Sequence, residues 1–354
     1  MGKKRLYYID VLNCIAIIFV LFLHSTQLAF VGNRSFSNFR LSLIVQSLCI
    51  PAIYIFIMNS GATLLDYREK YSTATFLKKR VHRVVIPFII WSIIYYIYDI
   101  HHVAYPGPIS HPHPGMIDFF GAFANNQINN IFWFFYTIIA LYLFTPVISV
   151  LVKENKNTLF YIVIVYFICT DILQYAGSLM HAKLSTEFIN QPLMASNFIG
   201  YFIMGYLIKV DYFNKKQQII LIISGFITLM LNIINDVYYH NIHVFNKIGP
   251  FLYSVALYLV VKKIVKFTSN KNSKILGVFT MLSSVSLGIY ILHPFVYEIL
   301  SKFIYGTTQR QWHQFLKLMN NPWYMFLLPV ITYVLLTTVI LVLKRIKFFN
   351  YLIP

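Results

Sequence analysis

Residues 9–25 read "IDVLNCIAIIFVLFLHS". The run from Cys14 to Leu23 is apolar enough for lipid, yet an acid stands at Asp10, an amide at Asn13 and an imidazole at His24. A helix turns about 100° per residue, so His24 returns to within roughly 20° of Asn13 and 40° of Asp10. The three polar groups therefore form one stripe. In a spanning helix such a stripe must face the bundle interior or a wet cavity. At 1.5 Å per residue His24 lies roughly 16 Å deeper than Asn13.

The rest of the chain has the same character. Of 354 residues, 58% are hydrophobic, 18% aromatic and only 11% charged, which excludes an ordinary soluble domain. About 20 apolar residues span a bilayer. Ten segments qualify: 7–30, 41–64, 85–100, 131–152, 159–175, 194–208, 217–236, 248–262, 276–299 and 323–344. The predicted fold is an all-α polytopic membrane protein, a bundle of about ten transmembrane helices, with residues 1–354 forming a single domain. The first segment is not expected to be a cleaved signal, because it lacks a small-residue cleavage site.

A net charge of +18 invites a nucleic-acid reading, but its distribution argues for topology. With a cytoplasmic N-terminus, the inner segments hold 22 of the 29 lysines and arginines. This is the positive-inside pattern, and it places both termini in the cytoplasm. The inner lysines are also drawn to anionic membrane lipid. Cys14, Cys49 and Cys169 all fall in apolar segments, so no disulfide framework is expected. The longest polar stretch, 101–130, carries His101, His102, His111 and His113 at irregular spacing, with no acid well placed beside them. No metal is expected there. A phosphate-cradling Gly-rich loop, a nucleophile elbow and a dinucleotide fingerprint are all lacking.

Several stretches together resemble the membrane-bound acyltransferase family of type three. Its opening helix reads Ile-Asp-x-Leu-Arg, an apolar run and then His; here Asp10 and His24 match, and Asn13 stands where the Arg usually stands. "PAIYIFIMNSGATLL" (51–65) resembles the family's second span. "FLKKRVHRVVIPF" (76–88) resembles its basic inner loop running into a Pro. "IFWFFYTIIALYLFTPVI" (131–148), "NFIGYFIMGYLI" (197–208) and "SLGIYILHPF" (286–295) resemble later signatures. The resemblance runs from residue 5 to about 300.

The resemblance implies transfer of an acyl group, acetyl above all, from cytoplasmic acyl-CoA to a hydroxyl of a cell-surface or lipid-linked polysaccharide at a bacterial cell membrane. Acetyl-CoA is then a donor substrate, and no permanently bound cofactor is expected. His24 is the expected base or acyl carrier, with Asp10 and Asn13 ordering the inner end of the path. A neutral imidazole is what a general base needs. Arg80 and Arg83, three apart and so neighbours on a helix face, with Lys79 adjoining, are candidates for the phosphates of coenzyme A. Asn59 is a candidate for lining the vestibule, whereas Ser60 and Gly61 read as helix-packing residues. His293, two turns beyond Ser286 on the same helix face, and Trp133 are candidates for binding the acceptor. Some related proteins are assigned to polysaccharide export, which leaves a conduit as the alternative. A noncatalytic partner of a polysaccharide synthase is a third reading.

Overall fold

In the computed structural model, residues 5–31, 34–102, 111, 113–173, 175, 198–239, 249–268, 273–306, 312–346 and 349–353 are described. The elements are helical, as the composition requires: in lipid a chain must satisfy its backbone polar groups internally, and helices do so. In chain order they are α1 (Tyr7–Ser25), α2 (Leu28–Val31), α3 (Phe39–Cys49), α4 (Pro51–Leu64), α5 (Thr73–Arg80), α6 (Ile86–His101), α7 (Met116–Ala124), α8 (Trp133–Glu154), α9 (Lys156–Phe167) and α10 (Ile199–Lys209). They continue with α11 (Lys215–Tyr239), α12 (Gly249–Thr268), α13 (Ser273–Ser283), α14 (Ser286–Tyr305), α15 (Trp312–Met319), α16 (Pro322–Leu343) and α17 (Phe349–Leu352).

Among the described residues, seven stretches are long and apolar enough to cross a membrane: Tyr7–Val31, Phe39–Glu69, Thr73–His101, Asn130–Glu154, Lys215–Tyr238, Ser286–Tyr305 and Pro322–Leu343. The chain is a multi-pass membrane protein. The segments read at 159–175, 194–208 and 248–262 overlap α9, α10 and the first part of α12. Residues 174, 194–197 and 248 lie outside the described residues.

One reading is corrected. The apolar run 276–299 is not a single helix but two, α13 and α14, separated at Ser284–Val285. The Ser284 hydroxyl donates to the Met281 carbonyl at 2.7 Å, competing with the helical ladder from within. The break sets Ser283 and Ser286 on either side of a corner.

Helix α1 is central, packing against α3, α4, α12, α13, α14 and α16. Glycines set the closest approaches. A Cβ on Gly61 of α4 would stand 1.7 Å from the Phe202 carbonyl oxygen of α10, and one on Gly205 would stand 2.0 Å from that of Met58. The two glycines thus let α4 and α10 cross backbone to backbone, the packing role expected for Gly61.

Candidate active site

The polar stripe of α1 divides into an inner and a deeper part. Asp10 is buried and engaged: Arg5 grips it with two nitrogens at 2.8 and 3.1 Å, and the Thr280 hydroxyl donates to it at 2.9 Å. It ties the start of α1 to α13. Asn13 sits between two helices. The Asn59 amide donates to the Asn13 Oδ1 at 2.8 Å, and the Asn13 amide donates to the Ser283 Oγ at 3.0 Å. This relay clasps α4, α1 and α13 together. The Asn59 Oδ1 is buried with no hydrogen-bond partner.

Beside the relay lies a cavity of about 270 Å³. Asn13, Asn59, Ser60, Thr63, Ser283 and Ser286 give it a polar wall, and Phe134, Phe135, Ile138 and Tyr142 of α8 give it an aromatic and apolar one. Asp10 is not part of this lining.

The basic loop reaches the cavity through Val84, which lines it, and through Arg80. The Arg80 guanidinium lies 5.6 Å from the ring centre of Tyr142, a lining residue, and 5.7 Å from that of Phe76. Its Nε is buried without a hydrogen-bond partner. Arg83 is exposed, and Lys79 is exposed with its ammonium 4.1 Å above the Tyr71 ring. Between Arg80 and Arg83 the helix passes into a π-helical turn, Val81–Val85, and leaves Arg80 half-buried and Arg83 exposed. Pro87 explains the turn. Its ring lacks an N–H and crowds the Arg83 carbonyl four residues back, which an α-helical register would bring into contact.

The deeper part is built by α14. Ser286, Tyr290 and His293 follow one another at spacings of four and three, and so share a face. Ser286 and Tyr290 line the cavity, whereas His293 and His24 stand beyond its lining. The Tyr290 hydroxyl donates to the Ile131 carbonyl, fixing its ring. Pro294 has no N–H to give the Tyr290 carbonyl, and His293 takes that acceptor: its Nδ1–H donates to the Tyr290 oxygen at 2.7 Å. The bond selects the tautomer with a bare Nε2. That atom is buried and has no hydrogen-bond partner.

The His293 ring lies beside that of His24, with centroids 4.8 Å apart and the planes tilted by 43°. His24 Nδ1 lies 3.3 Å from the Gln27 amide nitrogen. The Tyr297 hydroxyl donates to the Leu21 carbonyl at 2.6 Å and the Ser25 hydroxyl to the Met325 carbonyl at 2.8 Å, locking α1 to α14 and α16 on either side of the pair.

Trp133 stands outside this arrangement, its ring centre 5.6 Å from that of Phe198. The histidine-rich stretch brings a further correction. His111 does have an acid beside it: its Nδ1 lies 2.8 Å from Asp118, which also accepts a hydrogen bond from the Tyr96 hydroxyl at 2.7 Å. Arg5, Thr280, Ser283 and Tyr290 escaped the sequence reading. Thr280 and Ser283 had one available signal, small hydroxyl residues interrupting an apolar run.

Among curated proteins and among solved structures, nothing matches the chain. The profile of one family, described as an acyltransferase domain, matches residues 6–344. That span covers nearly the whole chain and takes in the relay, the basic loop and the histidine pair, and the protein belongs to the acyltransferase 3 family.

Proposed function

We propose that this membrane acyltransferase moves an acetyl group from cytoplasmic acyl-CoA to a hydroxyl of a cell-surface or lipid-linked polysaccharide. The observation that carries the reading is the cavity, with a guanidinium against one lining ring and, on the helix that supplies its lining Ser286 and Tyr290, the His293 that pairs with His24.

Arg80 holds a phosphate of the donor, aided by Arg83 and Lys79 at the surface. The pantetheine arm lies along the aromatic wall. An unpartnered buried acceptor costs about 1–3 kcal/mol. The Asn59 Oδ1 is such an atom, and an amide N–H of the arm satisfies it. His24 takes the proton of the acceptor hydroxyl, or first carries the acyl group itself. The bare Nε2 of His293 accepts a hydrogen bond from a neighbouring hydroxyl of the acceptor sugar, which orients the hydroxyl that His24 deprotonates. As the new C–O bond forms the C–S bond breaks, and the thiolate leaves with the proton collected by the imidazole.

A polymer conduit gains no support from a cavity of about 270 Å³ walled by side chains. Both termini are assigned to the cytoplasm of a bacterial cell, with donor entry from that side. The test supplies labelled acetyl-CoA and the host polysaccharide to the purified protein and its His24→Ala variant. Ester label made by the wild type and lost in the variant supports the reading. Equal label in both overturns the role of His24, and polysaccharide export without acylation overturns the transferase.

A further inference from the structure

A second concavity lies at the end of the α11–α12 hairpin, apart from the site above. It has a volume of about 640 Å³, and Lys215, Lys262, Lys263 and Lys266 line it together with one carboxylate, Asp211. Lys262 is already committed. It binds Asp211 at 2.8 Å and donates to the Ile208 and Lys209 carbonyls, closing the end of α10. The groove's acid is therefore neutralised within the fold, and Lys215, Lys263 and Lys266 add positive charge beyond it.

The start of α11 contributes the same sign, while the C-terminal ends of α10 and α12 nearby carry basic caps, Lys262 and Lys266. Helix α11 starts at Lys215, behind a reciprocal cap in which Asn214 and Gln217 each accept the other's amide at 2.9 Å. The positive end of a 25-residue helix thus lies at the groove.

Away from this charged end the hairpin is apolar. Ile219 lines the groove, and Ile223 and Ile227 stand one and two turns further along the same face of α11, each at least half exposed. Gly225 lets the helices close up, since a Cβ there would meet the Leu252 carbonyl and the Ala256 Cβ at 2.4 Å. A cationic concavity that opens onto a lipid-facing apolar track at the end of a spanning helix matches a molecule with a phosphate at one end and acyl chains at the other.

We propose that this groove binds an anionic phospholipid, its phosphate held by Lys215, Lys263 and Lys266 and an acyl chain laid along Ile219, Ile223 and Ile227. The site is independent of the transfer reaction. The full chain, purified in mild detergent, is titrated with phosphatidylglycerol and, separately, with phosphatidylcholine, and retained lipid is counted by native mass spectrometry. Phosphatidylglycerol is retained preferentially, and salt weakens it. The Lys215→Gln/Lys263→Gln/Lys266→Gln variant loses about tenfold or more in affinity, while the corresponding triple arginine variant keeps it.

Equal retention of the two lipids by the wild type overturns the proposal, and that comparison stands even if the glutamine variant does not fold. Unchanged retention by a folded glutamine variant overturns it too. Glycerophosphoglycerol and inorganic phosphate, which lack acyl chains, are the competitors. If either displaces the lipid at equal concentration, the groove is a soluble-phosphate site and the lipid assignment fails.

Discussion

The rings of His24 and His293 lie 4.8 Å apart, centre to centre, although 269 positions separate the two residues in sequence. One is positioned by the end of α1, the other by a proline that strips a carbonyl of its helical donor. Two imidazoles side by side, one with a bare buried nitrogen, form a place where one hydroxyl of a sugar can be deprotonated while its neighbour is held.

His293→Asn tests this division. Asn retains a donor at the position of Nδ1 for the Tyr290 carbonyl and removes Nε2, so folding is expected to survive. Acetyl transfer should fall by less than the roughly 10²–10⁴-fold of a lost general base, since His24 takes the proton and His293 orients the acceptor. Steady-state kinetics check this: an orienting role raises KM for the polysaccharide more than it lowers kcat.

Arg80→Gln is expected to raise the apparent KM for acyl-CoA by about tenfold or more, the loss of a charge-assisted phosphate contact. Arg83→Gln, which removes an exposed guanidinium, should change it less. Equal effects would mean that Arg80's place against Tyr142 gives it no special role.

Asp10→Ala severs the tie to Arg5 and Thr280. Arg5 is about half exposed, with 55% of its side-chain surface open, so solvent weakens the ion pair. The expected cost is about 1–2 kcal/mol, read as a lower unfolding midpoint in detergent. KM for acyl-CoA should stay near the wild-type value, since Asp10 is absent from the cavity lining.

Gly61→Ala drives a methyl group into the Phe202 carbonyl at the α4–α10 crossing. Relief requires moving backbone, so the change should destabilise by about 1–3 kcal/mol or more. The thermal midpoint of the purified protein measures it.

Asp118 lies outside the membrane-spanning segments. The Tyr96 hydroxyl, and after it His111, hold its carboxyl below the usual carboxylate range. A depressed pKa gives stability that is present above the unfolded value, about 3.9, and is lost as pH falls through the folded value. The clasp between α6 and α7 should therefore loosen only below about pH 4. Hydrogen exchange across α7 measures that loosening, and Asp118→Asn should abolish its acid dependence.

Much of the fold was legible in the residues. Segments such as 7–30, 131–152 and 323–344 coincide with long apolar helices, because nothing else satisfies the backbone in lipid. The α1 stripe announced an inward face by helical spacing alone. The corner between α13 and α14 was hidden, since "TMLSSVS" is apolar enough on average to read as one span. The π turn at Val81–Val85 was hidden too: Pro87 advertises a local disturbance, but which register relieves it depends on the helices packed around it.

The sequence by itself determined that the chain is helical, that it lives in a membrane and that Asp10, Asn13 and His24 share one face. Those are consequences of local composition and of a 3.6-residue repeat. Only the tertiary structure decided that Asp10 is held by Arg5 and Thr280, that Asn13 bridges Asn59 and Ser283, and that His293 stands against His24. Such partners come from distant helices, and packing fixes them: side chains separated by tens or hundreds of residues meet only where the crossing of backbones, here permitted by glycine and bent by proline, brings them within reach.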